Sequence, residues 1–119
     1  SPDNSSNQLD SIAKLLLKYK VDGVIATNTT IDRKGISNSK YSVEEGGLSG
    51  APLNEKSTNV IKYLNKCLNG KIPIIGVGGI ITANDGIEKI KNGASLIQIY
   101  TGLIFKGHGL VNELRKAIR

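Results

Sequence analysis

The amino-acid sequence predicts an α/β fold in which parallel strands alternate with helices in the order α-β-α-β-α-β-α. Three short runs rich in aliphatic residues, 24–27, 72–77 and 96–100, have the length and composition of strands buried on both faces. Between them, apolar residues recur at the spacing of amphipathic helices. Strands joined by helices pair in parallel through right-handed crossovers. The strand ends then share one edge of the sheet, where we expect a ligand to bind.

The first part of the chain is predicted to contain a helix, a strand and a long loop. Residues 1–7 are polar and lead into a helix over 8–19. A turn at Gly23 precedes the strand at 24–27. Residues 31–51 have no apolar periodicity, so we expect a loop of about 20 residues there, and loops of this length usually carry function.

The middle of the chain is predicted to form a second helix and the central strand. Apolar residues share one helical face over 53–68, with Pro52 in the first turn and Gly70 just past the end. The strand at 72–77 then ends in paired glycines.

The last part of the chain repeats this pattern. Thr82 and Asp85 have the spacing of a capping box, and the helix they begin is expected to end at Gly93. After the third strand, the sequence predicts a loop at 105–109 and a final helix at 110–118.

The length of the chain limits the possible architectures. The 119 residues can enclose the core of one domain, but a closed (β/α)8 barrel needs roughly 200 residues or more. The sequence contains no Met, even at position 1. We therefore expect residues 1–119 to be a single domain that is a piece of something longer.

Composition argues against nucleic-acid binding and against a membrane span. The net charge is +6, but many lysines lie at helical spacing among apolar residues, as on solvent-exposed helix faces. These are Lys14, Lys18, Lys62, Lys66, Lys89, Lys91 and Lys116. No aromatic platform for stacking bases accompanies them. No apolar run reaches the roughly 18 residues of a membrane span, and no signal peptide opens the chain.

Cys67 and His108 are the only residues of their kinds. A lone cysteine cannot form an internal disulfide, which is compatible with a reducing cytoplasm. Cys67 shares a helical face with Val60, Ile61 and Leu64, so we expect a small buried hydrophobe rather than a nucleophile. His108 is predicted to be a solvent-facing loop residue, and no cluster of ligands beside it suggests a metal site.

Two successive strand ends carry exposed backbone at glycines, namely Gly78-Gly79 and Thr101-Gly102. Glycines without a Cβ allow backbone N–H groups to approach a ligand closely. In (β/α)8 barrels, the loops after the last two strands commonly bind phosphate. Spacing alone leaves two interpretations open, a phosphate cradle and simple tight turns.

Four segments together resemble the dihydroorotate dehydrogenases, most closely the class 2, quinone-linked enzymes. The segments are 26–30 (ATNTT), 46–50 (GGLSG), 74–79 (IIGVGG) and 93–101 (GASLIQIYT). Their order matches the family and they span nearly the whole chain. The resemblance implies a (β/α)8 barrel that holds flavin mononucleotide (FMN) and oxidises dihydroorotate to orotate in pyrimidine biosynthesis. This chain would supply the last three βα units and the preceding helix.

The resemblance also implies roles for individual residues. Thr27 would lie against the flavin, and Asn28 and Thr29 would hydrogen-bond the orotate. The remaining cofactor contacts would be Gly50, Gly78, Gly79, Tyr100 and Thr101. The catalytic base of these enzymes, a serine in class 2 and a cysteine in class 1, lies in the first half of the barrel. No catalytic residue is therefore expected here, and Ser49, Ser57 and Ser95 have no activating partner in their surroundings.

The quinone-guiding, membrane-associating segment of class 2 enzymes also lies outside this sequence. The resemblance implies a peripheral protein on the cytoplasmic face of the bacterial inner membrane, or at the mitochondrial inner membrane of a eukaryote. Two alternatives remain: another phosphate-binding barrel, such as a flavin-dependent tRNA reductase, and an inactive half-barrel that only binds an anion.

The 119-residue chain alone is expected to self-associate or to pair with the missing half of the barrel. Its open sheet would leave strand edges and an apolar face exposed, and such surfaces drive association. In some alternating assignment, this face is predicted to carry Val24, Ala26, Ile75, Val77, Ile97 and Ile99.

Overall fold

In the computed structural model, which describes residues 1–118, three parallel strands form one sheet in the order β1-β2-β3. Strand β1 is Val24–Ala26, β2 is Ile74–Val77 and β3 is Leu96–Gln98. Ile75 is in register with Ile25 on one side and with Leu96 on the other. The predicted parallel sheet is confirmed, with each strand shorter than its apolar run.

The helices alternate with the strands in the predicted order, except that two helices follow β3 instead of one. The helices are α1 (Ser6–Tyr19), α2 (Asn54–Leu68), α3 (Ala83–Lys91), α4 (Thr101–Lys106) and α5 (His108–Ala117). Three short 3-10 turns, at Lys34–Ile36, Lys40–Val43 and Ala51–Leu53, lie between β1 and α2. The predicted long loop is therefore partly folded.

Capping explains where two helices begin. The Ser5 hydroxyl accepts a hydrogen bond from the Gln8 N–H, and the Gln8 side chain accepts one from the Ser5 N–H at 2.8 Å. The predicted capping box of α3 is confirmed, because Thr82 and Asp85 make the same reciprocal pair. These bonds satisfy N–H groups that lack partners in the first helical turn.

The segment after β3 is helical where the sequence predicted a loop at 105–109. Only Ile99 and Tyr100 separate β3 from helix α4, and only Gly107 separates α4 from α5. Gly107 has φ 61° and ψ −162°, a backbone conformation open essentially to glycine alone, so a single glycine replaces the expected loop. Helix α4 is six residues long, too short to show periodicity in the sequence. His108 is exposed, as expected, but it is the first residue of α5.

The main core lies between one face of the sheet and helices α1 and α2. Its fully buried members include Leu68 from α2 and Ile74 from β2, which are 0% and 1% exposed. A smaller cluster of Ile80, Leu110 and Leu114 packs α5 against the segment that follows β2. Burial of these apolar side chains places the helices and so fixes the strand ends.

The other face of the sheet carries no helix within residues 1–118. Ile25 and Leu96, in one row across the sheet, are 59% and 63% exposed. This helix-free face consists of Ile25, Ile75, Val77, Leu96 and Gln98. Side chains alternate between the two faces along each strand, so the register assigns the whole set.

The predicted membership of this face was partly wrong. Ile75 and Val77 lie on it, but Val24, Ala26 and Ile97 face the helices, and Ile99 packs against the α5 cluster. A shift of one residue moves every side chain to the opposite face. Because the strands are apolar at nearly every position, their sequences do not reveal which alternate set faces the helices.

Two further sequence expectations concern single side chains. Six of the seven lysines predicted on exposed helix faces are exposed, but Lys89 is 0% exposed. Cys67 is half-buried against the core, and burial raises the pKa of its thiol, which fits a packing role. No helix of residues 1–118 is long and apolar enough to cross a membrane.

Candidate functional site

A pocket of about 420 Å³ lies at the carboxyl edge of the sheet. The ends of all three strands line it, together with the segment that leads into α2. All eight residues assigned by resemblance line this pocket: Thr27, Asn28, Thr29, Gly50, Gly78, Gly79, Tyr100 and Thr101. Parallel pairing brings these distant positions together because all strands end at the same edge.

The segment after β1 forms the first wall. The Thr27 N–H donates to the Val77 carbonyl at 2.9 Å and extends the β1–β2 pairing into the pocket. The Ala26–Thr27 peptide bond is cis. Asn28 Oδ1 accepts a 2.7 Å bond from the Thr29 N–H, so the oxygen of the amide is already engaged. Asn28 Nδ2 makes no hydrogen bond within residues 1–118 and is a donor available to a ligand.

The long loop returns to the pocket through one antiparallel bridge. Thr30 and Leu48 exchange two backbone hydrogen bonds, of 3.1 and 2.7 Å. This bridge places Ser49 and Gly50 at the pocket rim. Gly50 lies against Thr101, where an added Cβ would be 3.3 Å from the Thr101 methyl group.

Arg33 holds the same loop from inside. Its guanidinium donates to the carbonyl oxygens of Thr30, Glu44 and Gly46, the first two at 3.2 and 3.0 Å. One planar side chain thus ties the start of the loop to its end. Hydrogen bonds from Arg33 therefore hold the part of the loop that leads to the pocket rim.

Gly78 and Gly79 form the second wall, directly after β2. Their φ angles are 117° and 72°, in the left-handed region that favours glycine. An added Cβ on Gly78 would lie 2.9 Å from the Ser57 hydroxyl, and one on Gly79 would overlap the backbone of Asn54. The Gly79 N–H has no hydrogen-bond partner in the described part of the chain. The turn is thus tight and also presents an unused backbone donor.

The first turn of α2 supports these glycines. Asn54 Nδ2 donates to the Gly79 carbonyl at 2.8 Å. The Ser57 hydroxyl, which is fully buried, donates to the Val77 carbonyl at 2.7 Å. Neither polar residue was assigned a role from the sequence.

Lys89 lies behind this turn, on α3. Its Nζ donates to Thr58 Oγ1 at 2.7 Å and to the Asn54 carbonyl at 3.1 Å. Burial lowers the pKa of Lys89 to about 8, although the nearby Asp85 carboxylate acts in the opposite direction. The sequence expectation of an exposed lysine fails because the acceptors come from a different helix.

The end of β3 forms the third wall. Gln98 is the last residue of the strand and is in register with Val77, so it points to the pocket side of the sheet. A polar residue within an otherwise apolar strand was the signal that could have identified it. Gly102, in the first turn of α4, packs so closely on the Ile80 carbonyl that a Cβ would overlap it. The Thr101 N–H, like that of Gly79, has no partner among residues 1–118.

A polar cluster beside the pocket joins the amino-terminal segment to the loop. Lys56 Nζ lies 2.6 Å from Asp3 Oδ1 and 3.3 Å from Asp32 Oδ2, and Thr30 Oγ1 donates to Asp3 at 2.6 Å. Desolvation raises the pKa of the Asp3 carboxyl, but hydrogen bonds from Lys56 and Thr30 outweigh it and hold that pKa well below its ordinary range. Within residues 1–118, no three His, Cys, Asp or Glu side chains are grouped so as to bind a metal ion.

The chain is similar in sequence to dihydroorotate dehydrogenases. A family model described as dihydroorotate dehydrogenase matches residues 1–119. A relative from Shewanella sediminis, described as dihydroorotate dehydrogenase (quinone), is 51% identical over 119 residues, which is all of this chain and 35% of the relative. One with the same description from Wigglesworthia glossinidia brevipalpis is 55% identical over 117 residues, 98% of this chain and 35% of the relative. The chain therefore spans 35% of the length of these curated relatives.

The likeness extends to solved structures. The DHODH of Eimeria tenella in complex with ferulenol matches with a TM-score of 0.93 and 36% sequence identity, over 99% of this chain and 31% of that one. Its ligand-free form gives the same TM-score over 33% of its chain. These matches confirm the predicted fold class, a portion of a (β/α)8 barrel.

Proposed function

The chain belongs to the dihydroorotate dehydrogenase family, and on that premise we propose that it supplies the last three βα units of a quinone-linked enzyme that oxidises dihydroorotate to orotate. The observation that supports this proposal is the convergence of all eight positions implied by the family on one pocket. We propose that residues 1–119 act as one structural unit of that barrel. The family match favours this function over a flavin-dependent tRNA reductase.

The turn after β2 suits the phosphate of FMN. The Gly78-Gly79 backbone leaves no room for side chains, and the unpartnered N–H groups of Gly79 and Thr101 are donors for an anion. Gly50 and Tyr100 complete the cofactor side of the pocket, with Thr27 beside the flavin ring. When bound, FMN accepts the hydride that leaves dihydroorotate.

The segment after β1 suits the orotate ring. Because Asn28 Oδ1 is held by the Thr29 N–H, its Nδ2 is oriented as a donor to a substrate oxygen. The Thr29 hydroxyl lies 3.3 Å from the same Oδ1 and adds a second polar group at the rim. These contacts would bind and orient the substrate without taking part in proton transfer.

We propose that the base which removes the substrate proton comes from another part of the protein. The Ser57 hydroxyl is buried and donates to the Val77 carbonyl, and the Ser49 hydroxyl accepts from Thr101. Neither has a neighbouring group that would take its proton. Ser95 is exposed and does not line the pocket.

The quinone acceptor would be reached through a part of the protein outside residues 1–119. The relatives' description as quinone-linked supports this acceptor. We propose a peripheral location on the cytoplasmic face of a bacterial inner membrane, or at the inner mitochondrial membrane in a eukaryote.

The test uses the complete protein that contains this chain. We expect it to purify yellow with bound FMN and to reduce a soluble quinone analogue when dihydroorotate is added. The matched variant Asn28→Ala should keep its FMN and lose substrate affinity. A colourless protein, or one without dihydroorotate-dependent quinone reduction, would contradict the proposal.

A further inference from the structure

We propose that Lys89 is a positioning residue for the FMN phosphate, acting through Asn54 on the conformation of Gly79. This inference rests on the function proposed above. Lys89 touches neither cofactor nor substrate. It would act by holding the first turn of α2 where that turn supports the glycines.

The burial of Lys89 is the first observation behind this inference. The side chain is 0% exposed, and it has no carboxylate within salt-bridge distance among residues 1–118. Removing an ammonium group from water is costly, and an apolar side chain of similar size often stabilises such a position better. Stabilisation of the core therefore does not by itself explain why a lysine occupies this position.

The hydrogen bonds of Lys89 are the second observation. Its Nζ donates to the Asn54 carbonyl at 3.1 Å and to Thr58 Oγ1 at 2.7 Å, and Thr58 Oγ1 in turn donates to the same carbonyl at 2.9 Å. Two side-chain donors thus converge on the carbonyl of Asn54, the first residue of α2. Bonds from a charged donor are stronger than those between neutral groups, so this turn is firmly held.

Asn54 transmits this constraint to the pocket. Its backbone is held by Lys89, while its Nδ2 donates to the Gly79 carbonyl at 2.8 Å. Its backbone also occupies the space that a Gly79 side chain would need. The Gly79 carbonyl belongs to the Gly79–Ile80 peptide, so a displacement of Asn54 would shift that peptide and, with it, the backbone of Gly79, whose own N–H is unpartnered within residues 1–118. Loss of the Lys89 ammonium should weaken phosphate binding even though Lys89 lies outside the pocket.

The first experiment measures FMN affinity of the complete protein after removal of its flavin. Titration with FMN, followed by quenching of flavin fluorescence, should show about tenfold weaker binding for Lys89→Met than for the wild type. The matched control is Lys91→Met, which removes a charge from the same helix at a side chain that is 66% exposed. That control should bind FMN like the wild type.

A double-mutant cycle separates positioning from general stability. If Lys89 acts through Asn54, then Lys89→Met should add little further loss of FMN affinity to Asn54→Ala. Fully additive losses would overturn the inference. So would a Lys89→Met protein whose thermal midpoint falls while its FMN dissociation constant stays at the wild-type value.

Two further outcomes are informative. If Lys89→Met does not fold, Thr58→Val takes its place, because it removes the 2.7 Å acceptor and keeps the side-chain volume. Unchanged FMN affinity in Thr58→Val would then overturn the inference. A wild-type protein that binds no FMN would instead overturn the proposed function, and with it any positioning role toward FMN.

Discussion

The Thr101 hydroxyl donates a 3.0 Å hydrogen bond to the Ser49 hydroxyl, which joins the turn after β3 to the end of the long loop after β1. Both residues line the pocket. Their contact, together with Gly50 packed against the Thr101 methyl group, links the long loop to the turn after β3. The pocket is therefore a product of three separate loops, and each loop can be tested by its own substitution.

The segment after β1 is tested by Asn28→Ala. We expect the orotate dissociation constant of the complete enzyme to rise by a factor corresponding to roughly 1–3 kcal/mol, because polar ligand atoms lose their partner. FMN content should stay near normal, since the proposed role of Asn28 is to bind the substrate. Isothermal titration with orotate measures the change, and Asn38→Ala, at an exposed loop position, is the control. An unchanged orotate affinity would contradict the proposed contact between Asn28 and the substrate.

The turn after β2 is tested by substitution at Gly79. Any side chain there would have to displace the backbone of Asn54 and would also strain a φ of 72°. We therefore expect Gly79→Val in the complete enzyme to purify folded but colourless. Gly109→Ala is the matched control, because a Cβ at Gly109 meets nothing within 4 Å. The absorbance of bound flavin and the far-ultraviolet circular dichroism give the two readouts, and a yellow Gly79→Val protein would show that the glycine serves only the turn.

Much of this site follows from the sequence because of one topological fact. Parallel strands joined by helices place all their carboxyl ends on one edge, so Asn28, Gly79 and Thr101 meet although they are far apart in the chain. The glycines also carry their own signal, since a pair directly after a buried strand predicts a backbone turn.

The supporting residues could not be predicted in the same way. Lys89 has the spacing of an exposed helix residue, and its acceptors, Asn54 and Thr58, lie more than 30 positions earlier on another helix. Gly107 could mark either a loop or a break between two helices, and only the packing of Leu110 against Ile80 favours the helices. In both cases contacts between residues far apart in the sequence determine the local structure, and no local sequence pattern predicts those contacts.

The long loop should be the most mobile part of the chain at 36–45. Tyr41 and Val43 there are 58% and 85% exposed, and no residue of 36–45 is a member of the main core or of the smaller α5 cluster. Arg33 ties only the ends of the loop, so we expect fast amide hydrogen exchange at 36–45 and slower exchange at Thr30 and Leu48. Arg33→Ala should extend the fast exchange to Leu48. Uniformly slow exchange across 36–45 without a bound partner would contradict this expectation.

The cluster around Lys56 should make the structure sensitive to acid. The pKa values of Asp3 and Asp32 are both lowered in the folded state, so their ionised forms stabilise it above the ordinary carboxyl pKa of 3.8. This stabilisation is lost as the pH falls through their folded pKa values. Thermal unfolding of the complete protein as a function of pH should therefore show a smaller acid-induced decrease for Asp3→Asn than for the wild type. Equal slopes would mean that the Lys56 pair contributes nothing measurable.

The 119-residue chain by itself should not behave as a monomer. The sheet leaves Ile25 and Leu96 more than half exposed, and a second exposed apolar group, Tyr100, Ile104 and Phe105, follows β3. Exposed strand edges and apolar surfaces of this kind promote association. In the complete protein, the rest of the barrel would cover both surfaces.

Sedimentation velocity of the isolated chain, combined with an FMN titration, tests this expectation. We expect concentration-dependent oligomers, weak or undetectable FMN binding and no oxidation of dihydroorotate, because the base and the other cofactor contacts would come from elsewhere in the protein. Replacing Ile25 and Leu96 with Thr should shift the chain toward monomer without restoring activity, since both residues lie on the helix-free face. A compact wild-type monomer that binds FMN tightly and oxidises dihydroorotate would show that these 119 residues contain the whole catalytic site, including a base that we have placed outside them.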